Sequence, residues 1–225
     1  MEANFFNRLI GIPLFQGISR DDFMNIATKI HFDFRTYKPD EVIVRRDQPC
    51  GDLICIIQGT IAKEMHADDG SYVFRELSDK PTVIQPDRLF GRFPFYSANF
   101  VAVKETSVLI VPKAEVRDIL FNYITFHLNF INFICSAKQV WEGRLWKRLP
   151  EPLEERFVHF LLARSTRPAG YKELCIGMVE LANELVTTRL NVSKMLNKLK
   201  EENLIYLRRG HIVIPEIEKL LHHTH

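Results

Sequence analysis

Residues 179–205 read VELANELVTTRLNVSKMLNKLKEENLI, in which two helical patterns are separated by a short break. Ala182, in the first pattern, is small enough to let another helix approach closely. Thr188 precedes the second pattern, and its hydroxyl can accept a hydrogen bond from a free backbone N–H at the start of a helix. Apolar residues recur in the second pattern at the spacing of one helix face, at Val192, Met195, Leu196 and Leu199. The stretch therefore predicts a helix-turn-helix.

The opposite face of the second helix is polar and carries groups that can bind double-stranded DNA. Arg189 and Lys194 can donate hydrogen bonds to guanine O6 and N7, and Asn197 can pair with adenine or hold a phosphate. The short hydroxyl and amide side chains suited to phosphate oxygens are Thr187, Thr188, Asn191 and Ser193. The pattern predicts a helix that enters the major groove, and the alternative is a helical hairpin with an ordinary solvated face.

A β-hairpin is predicted directly after the second helix. Residues 204–214, LIYLRRGHIVI, read as two short strands around a turn, and Arg208 and Arg209 at its tip can contact the DNA backbone. Residues 147–225 carry 13 Lys and Arg against 10 Asp and Glu, whereas residues 1–146 carry 17 against 18. This mild basic bias permits a nucleic-acid partner, and the hairpin predicts a wing beside the helix-turn-helix.

The first half of the chain has the pattern of a small β domain. Residues 32–111 alternate short β-rich runs with turn residues, which predicts a β-sandwich or β-roll. A long helix is predicted from about residue 123 to 147, with a wide apolar face that includes Phe126, Phe130, Phe133, Ala137, Val140 and Trp141. Because this face is wider than a small roll needs to cover, we predict that it pairs with a second copy of the chain; the alternative is packing within the chain.

Two prolines mark the predicted domain boundary. Residues 149–152 read LPEP, and each proline disfavours helix in the residue before it. The sequence thus predicts an α+β protein of two domains. We predict that residues 1–147 form a β-roll domain with a long dimerisation helix, and that residues 148–225 form a winged helix-turn-helix DNA-binding domain.

Over nearly its whole length, the chain resembles the CRP/FNR superfamily of bacterial transcriptional regulators, which includes the cyclic-AMP receptor protein. The strongest similarity is ELANELVTTRLNVSKMLNKLKEENLI, and weaker ones are YKPDEVIV, IIQG with Gly59, LFG with Gly91, and AVKETSVLIV. The resemblance implies a homodimer that binds a pseudo-palindromic site in double-stranded DNA, with Arg189, Leu190 and Lys194 facing base edges. It leaves RNA polymerase open as a further partner.

Two departures from the family pattern have consequences. The turn position often held by glycine is Val186, which is strained if its φ is positive. Where cyclic-nucleotide binders follow Phe-Gly with Glu and later present Arg-Ser or Arg-Thr, this chain has FGR at 90–92 and YSA at 96–98. Arg92 reverses the expected charge, and Tyr96 removes the guanidinium that would hold a cyclic phosphate. Cyclic AMP is therefore not expected as the effector, and the candidate effector-binding residues are Gly91, Arg92 and Ser97.

The rest of the sequence carries no signal for catalysis or for a cofactor. Four cysteines lack CxxC spacing, and no stretch resembles a membrane span or a signal peptide, so a reduced cytoplasmic location without membrane contact is expected. We assign no metal ligand, no cofactor and no enzymatic activity. Two alternatives remain open: a metal-dependent cupin-like enzyme, which needs histidines at HxH spacing that the β region lacks, and a dimeric interaction module that has lost DNA binding.

Overall fold

The computed structural model describes residue 6, residues 8–146 and residues 148–223. Among these residues the strands are β1 (Asp33–Tyr37), β2 (Val42–Val44), β3 (Asp52–Gln58), β4 (Ile61–His66), β5 (Tyr72–Ser78), β6 (Thr82–Ile84), β7 (Asn99–Ala102), β8 (Thr106–Pro112), β9 (Lys172–Ile176), β10 (Tyr206–Arg208) and β11 (His211–Ile214). The helices with assigned bounds are α1 (Arg20–Lys29), α2 (Lys113–Asp118), α3 (Ile124–Leu145), α4 (Leu153–Arg164), α5 (Met178–Glu184), α6 (Arg189–Glu201) and α7 (Ile217–His223). Short 3₁₀ helices lie at Pro13–Phe15, Pro86–Arg88 and Leu120–Asn122. The mixture of helices with antiparallel strand pairs confirms the predicted α+β class.

The chain forms two compact units, each built from two stretches of sequence. The first unit comprises Met1–Ile61 and Asp79–Glu142, and the second comprises Ala62–Ser78 and Gly143–His225. The predicted boundary between residues 147 and 148 stays a prediction. The compact units differ from it in that residues 62–78 belong with the C-terminal part of the chain.

Four antiparallel strands in the order β1-β8-β3-β6 form the main sheet of the first unit, and β2 pairs with β7. The sequence of β3, DLICIIQ, is apolar between its polar ends, and residues 53–57 are all buried. A strand that is apolar on both sides needs cover on both faces, which a β-sandwich provides. At Gly59, φ is +121° and a Cβ would lie 2.7 Å from the carbonyl oxygen of Glu105, so only glycine fits there. The predicted β-roll is confirmed.

One face of α3 is covered by the core of the first unit. The Phe126 ring lies 5.2 Å from the Phe15 ring, and the Phe130 ring lies 5.1 Å from the Phe121 ring, in edge-to-face contacts. Phe126 and Phe130 are buried and belong to this core, which corrects their assignment to a free dimer face. The spacing of apolar residues shows that one face of a helix is apolar. It does not show whether the same chain or a second copy covers that face. The remaining predicted interface residues are half-buried or exposed: Phe133, Ala137, Val140 and Trp141.

No single helix in the described part of the chain is long and apolar enough to cross a membrane. Two consecutive helical segments, Lys113–Asn122 and Ile124–Arg144, pass a test of length and composition only as a pair, and they are bent by 118°. Core helices of ordinary globular domains pass the same test.

The sheet of the second unit runs in the order β10-β11-β9-β5-β4. Its β5–β9 pair joins distant parts of the chain, since Glu76 faces Lys172 across the two strands. Phe74 of β5 is buried in one apolar cluster with Phe157 of α4 and Leu174 of β9. The hairpin of β4 and β5 is therefore part of the core that supports the helix-turn-helix.

A buried ion pair joins β5 to β9. Lys172 Nζ lies 2.9 Å from Glu76 Oε1, with the lysine side chain fully buried and the glutamate nearly so. Glu76 also accepts the backbone N–H groups of Thr166 and Arg167, at 2.8 and 3.0 Å. Burial by itself raises the pKa of Glu76, but the Lys172 charge and these hydrogen bonds outweigh burial, so the pKa of Glu76 is lowered.

Candidate nucleic-acid interface

The turn between α5 and α6 is a Schellman motif. The N–H of Thr187 donates to the carbonyl of Ala182 at 2.9 Å, and the N–H of Val186 donates to the carbonyl of Asn183 at 3.1 Å. Val186 adopts a φ of +50°, the left-handed conformation that this motif requires at its turn position. The positive φ on which the predicted strain of Val186 depends is therefore present, and a β-branched residue avoids this region.

Replacing Val186 by Gly is expected to raise the free energy of unfolding by about 0.5–1 kcal/mol, because glycine adopts the left-handed region without steric cost. Val186 is 73% exposed, so the substitution loses little burial. Urea unfolding of the purified protein measures the change. Val179→Gly is the matched control: Val179 is an exposed valine of α5 without a positive φ, and its replacement should lower the free energy of unfolding. A decrease for Val186→Gly would contradict the strain.

Arg156 of α4 donates hydrogen bonds to two carbonyl groups of this turn. Its Nη1 donates to the carbonyls of Leu185 and Val186, at 2.8 and 3.1 Å. These carbonyls lie at the C-terminal end of α5, where unpaired acceptors attract a cation. No local sequence pattern indicates this contact, and Arg156 was not among the predicted site residues.

Thr188 caps the start of α6, as predicted. Its Oγ1 accepts the backbone N–H of Asn191 at 3.3 Å, and Asn191 Nδ2 donates to Thr187 Oγ1 at 3.3 Å. The buried side of α6 shares an apolar cluster with Ala182 and consists of Val192, Met195, Leu196 and Leu199. The predicted helix-turn-helix is confirmed, and the polar side of α6 faces solvent.

The predicted DNA-binding residues lie on this solvent side. Arg189, Leu190 and Lys194 are exposed. Within the described residues neither Arg189 nor Lys194 forms an ion pair, whereas Lys198 Nζ lies 2.8 Å from Glu154 Oε1. The other predicted contacts of α6 and its turn are exposed or half-buried: Thr187, Thr188, Asn191, Ser193 and Asn197. Arg189 and Lys194 can therefore approach DNA without breaking an internal ion pair.

The wing lies beside α6. Its strands, β10 and β11, are joined by a two-residue turn of Arg209 and Gly210, and Gly210 adopts a φ of +73°. A groove of about 350 Å³ is lined by Ser193 and Asn197 of α6 and by Arg208 and Arg209 of the wing. The structure thus places the polar face of α6 and the wing arginines around one groove.

The three candidate effector residues are not joined by hydrogen bonds in the described structure. Gly91 adopts a φ of +101°, and the Arg92 guanidinium lies over the Phe93 ring, 5.5 Å from its centroid. The Ser97 N–H donates to Gln85 Oε1 at 2.9 Å, and Gln85 Nε2 donates to the Ser97 hydroxyl at 2.5 Å. The N–H and the hydroxyl of Ser97 are therefore both hydrogen-bonded to Gln85.

Tyr96 points into the core of the first unit. It is 2% exposed, and its hydroxyl donates to the carbonyl of Asp52 at 3.3 Å. Burial, together with a hydrogen bond to Cys50, raises the pKa of Tyr96. Tyr96 is therefore a neutral, buried residue of the first unit.

The structure also brings together three side chains that the sequence does not connect. Cys175 Sγ lies 3.1 Å from His211 Nδ1, and the same nitrogen lies 3.0 Å from Glu173 Oε1. Glu173 and Cys175 share a face of β9, as their spacing shows, but only the pairing of β9 with β11 places His211 beside them. Burial raises the pKa of the Cys175 thiol, and the Glu173 carboxylate adds to the effect.

Comparison with known proteins gives two family matches that follow each other along the chain. The model of the cyclic nucleotide-binding domain matches residues 34–123, and the model of the Crp-like helix-turn-helix domain matches residues 155–222. No curated protein matches the chain.

Three of the similar solved structures have low sequence identity to this chain. The catabolite activator protein of Thermus thermophilus is 19% identical, with 92% of this chain and 96% of that chain covered and a TM-score of 0.47. FixK2 of Bradyrhizobium japonicum is 18% identical, with 86% and 97% covered and a TM-score of 0.48. The c-di-GMP responsive global regulator CLP of Xanthomonas campestris is 14% identical, with 88% and 99% covered and a TM-score of 0.49. On the strength of the two matched domains, the chain belongs to the CRP/FNR superfamily of transcription regulators.

Proposed function

We propose that the protein is a homodimeric, sequence-specific DNA-binding regulator whose two copies of α6 enter successive major grooves. The observation that carries the proposal is the solvent-facing row of Arg189 and Lys194, which have no ion-pair partner in the described structure, beside the arginines of the wing. In the proposal Arg189, Leu190 and Lys194 face base edges. The residues that contact phosphates or flanking bases are Thr187, Thr188, Asn191, Ser193, Asn197, Arg208 and Arg209.

We propose that α3 supplies the dimer contact. Its exposed large apolar residues are Ile124, Leu128, Ile131, Val140 and Trp141. Monomeric proteins rarely expose so many large apolar side chains on one element, because burying them is favourable. Pairing of α3 with its copy would cover Ile124, Leu128 and Ile131, which lie on one side of the helix at the spacing i, i+4, i+7. The predicted interface residues Phe133, Ala137, Val140 and Trp141 lie on the other side of the helix and stay candidates for a contact in its C-terminal half.

We infer that cyclic AMP does not control the protein, because Arg92 carries a positive charge where a carboxylate is expected and Tyr96 is buried. Gly91, Arg92 and Ser97 stay candidates for an anion of another shape. The division of labour between residues 1–147 as sensor and residues 148–225 as DNA-binding domain belongs to the same proposal, as does a contact with RNA polymerase. Members of this family are transcription regulators and are generally not enzymes, and we propose no catalytic role.

Selection of bound fragments from random double-stranded oligonucleotides tests the proposal. We expect the purified protein to enrich a pseudo-palindrome whose half-sites lie about 10 base pairs, or about 34 Å, apart, because each half-site must meet one copy of α6. The same motif should emerge with and without cyclic AMP. Selection on the empty matrix is the control.

Two outcomes would contradict separate parts of the proposal. No enrichment, or a motif without two-fold symmetry, would contradict the binding of DNA by a symmetric dimer. Enrichment that needs cyclic AMP would contradict the inference about the effector and leave the DNA-binding surface intact.

A further inference from the structure

We propose that Glu173, Cys175 and His211 form a zinc-binding site at the base of the wing. Their ligand atoms, a carboxylate oxygen, Sγ and Nδ1, all lie within 4.8 Å of one another. A tetrahedral zinc ion with bonds of about 2.0–2.3 Å holds such atoms about 3.3–3.6 Å apart. The separations from His211 Nδ1, 3.0 Å to Glu173 Oε1 and 3.1 Å to Cys175 Sγ, need to open by a few tenths of an ångström to admit the ion. The separation between Cys175 Sγ and the carboxylate, which is within 4.8 Å, needs to be about 3.6 Å. The mixture of thiolate, imidazole and carboxylate suits zinc.

The hydrogen bonds within this cluster are compatible with its geometry, but a single hydrogen on His211 Nδ1 cannot point well at both of its neighbours. His211 Nδ1 carries at most one hydrogen, yet it lies within 3.1 Å of both Cys175 Sγ and Glu173 Oε1. If Nδ1 is protonated, its hydrogen can point well at only one of these two atoms. If Nδ1 is unprotonated, it can accept a hydrogen bond from the Cys175 thiol, but its lone pair then faces the lone pairs of the carboxylate. A cation between the three atoms accepts a lone pair from each of them.

The charges around the cluster also favour a divalent cation. Besides Glu173, the charged groups that act on the Cys175 thiol are Glu64 and Arg75. Arg75 Nη1 lies 3.7 Å from the second oxygen of Glu173, and Arg75 Nε lies 3.2 Å from Glu64 Oε1. The two carboxylates exceed the one guanidinium by a single negative charge, and the thiolate that forms when a divalent ion displaces the Cys175 proton adds a second, so the bound ion balances both. Arg75 would in addition orient the Glu173 carboxylate toward the ion, as outer-sphere partners of metal ligands do.

The local backbone supports the three ligands on regular structure. Cys175 and His211 face each other across the β9–β11 pair, and Glu173 projects from the same face two residues earlier. His211 is the first residue of β11, directly after the wing turn at Gly210. Three protein ligands leave a fourth position for water. An ion here would join the wing to β9, and the inference does not depend on DNA binding.

Titration with Co²⁺, which takes zinc sites and is visible by absorbance, tests the proposal on the purified full chain with a non-thiol reductant. We expect a single Co²⁺ per chain, a thiolate-to-cobalt charge-transfer band, and displacement of the ion by Zn²⁺. Cys175→Ser should abolish the band. Glu173→Gln and His211→Asn should each weaken binding by more than about 10–100-fold, the loss that outer-sphere changes alone can cause.

Two control variants separate this site from other ligands in the chain. Cys135→Ser removes an exposed cysteine of the first unit and should leave the band unchanged. Replacing His222, His223 and His225 by Ala removes the histidine-rich C-terminal residues and should also leave it unchanged. The proposal is overturned if no charge-transfer band forms, if the band survives Cys175→Ser, or if binding is lost with the C-terminal histidines. Circular dichroism checks that each variant is folded.

Discussion

The Arg189→Ala/Lys194→Ala variant is expected to lose its preference for the selected duplex. The loss in binding free energy should be about 4–10 kcal/mol, which is the usual difference between specific and non-specific binding. Each donor pair to a base edge contributes about 1–3 kcal/mol, and a dimer loses two such side chains in each half-site. Both residues are exposed and alanine favours helix, so the fold should be unaffected. Fluorescence anisotropy with selected and scrambled duplexes, at one salt concentration, measures the change.

Arg208→Ala/Arg209→Ala is the matched control, since it removes the same number of positive charges from the wing. We expect this variant to bind both duplexes more weakly by a similar factor, because phosphate contacts carry no sequence information. The slope of log affinity against log salt should fall by about 0.9 for each phosphate that the wing no longer neutralises. If the α6 variant behaved in the same way as the wing variant, α6 would not be the reading surface.

Glu76→Gln is expected to lower the free energy of unfolding by about 3–5 kcal/mol, the usual cost of removing one partner of a buried ion pair. Glutamine keeps the size of the side chain but removes the carboxylate that lies 2.9 Å from the fully buried Lys172 ammonium. Urea unfolding at neutral pH, followed by circular dichroism, measures the change. Glu216→Gln is the matched control: it breaks the 2.6 Å pair with Lys219 at the surface and should have little effect.

The difference in the free energy of unfolding between the wild type and Glu76→Gln should become smaller as the pH falls. Because the pKa of Glu76 is lowered in the folded protein, ionisation of Glu76 stabilises the fold above the ordinary carboxylate pKa. This contribution is lost as the pH falls through the lowered pKa. The difference should therefore be complete at neutral pH and shrink toward about pH 3, where an ordinary carboxylate is protonated. A difference that grows on acidification would contradict the role of the ion pair.

Features set by neighbouring residues could be predicted from the sequence. The cap at Thr188, the buried face of α6 and the wing turn each depend on residues a few positions apart, so composition and spacing were sufficient. The strain at Val186 was predictable for the same reason, since the turn between two helices needs a left-handed residue. Charge and exposure then singled out Arg189 and Lys194.

Features set by distant residues could not be predicted. Glu76 and Lys172 are 96 positions apart, and nothing local shows that β5 pairs with β9 in the second unit. The pairing of β9 with β11, which brings His211 to Cys175, was hidden for the same reason. On α3 the period identified an apolar face, but it could not show that Phe126 and Phe130 pack within the chain, because a core and a dimer interface require the same residue types.

Methylation interference on the selected duplex is the most direct test of whether two copies of α6 read successive major grooves. A methyl group on guanine N7 lies in the major groove and blocks a donor such as Arg189 without changing the phosphates. We expect two clusters of interfering guanines on one face of the duplex, about 10 base pairs apart between centres. Bound DNA with no interference, or with a single cluster, would contradict major-groove reading by a symmetric pair of helices.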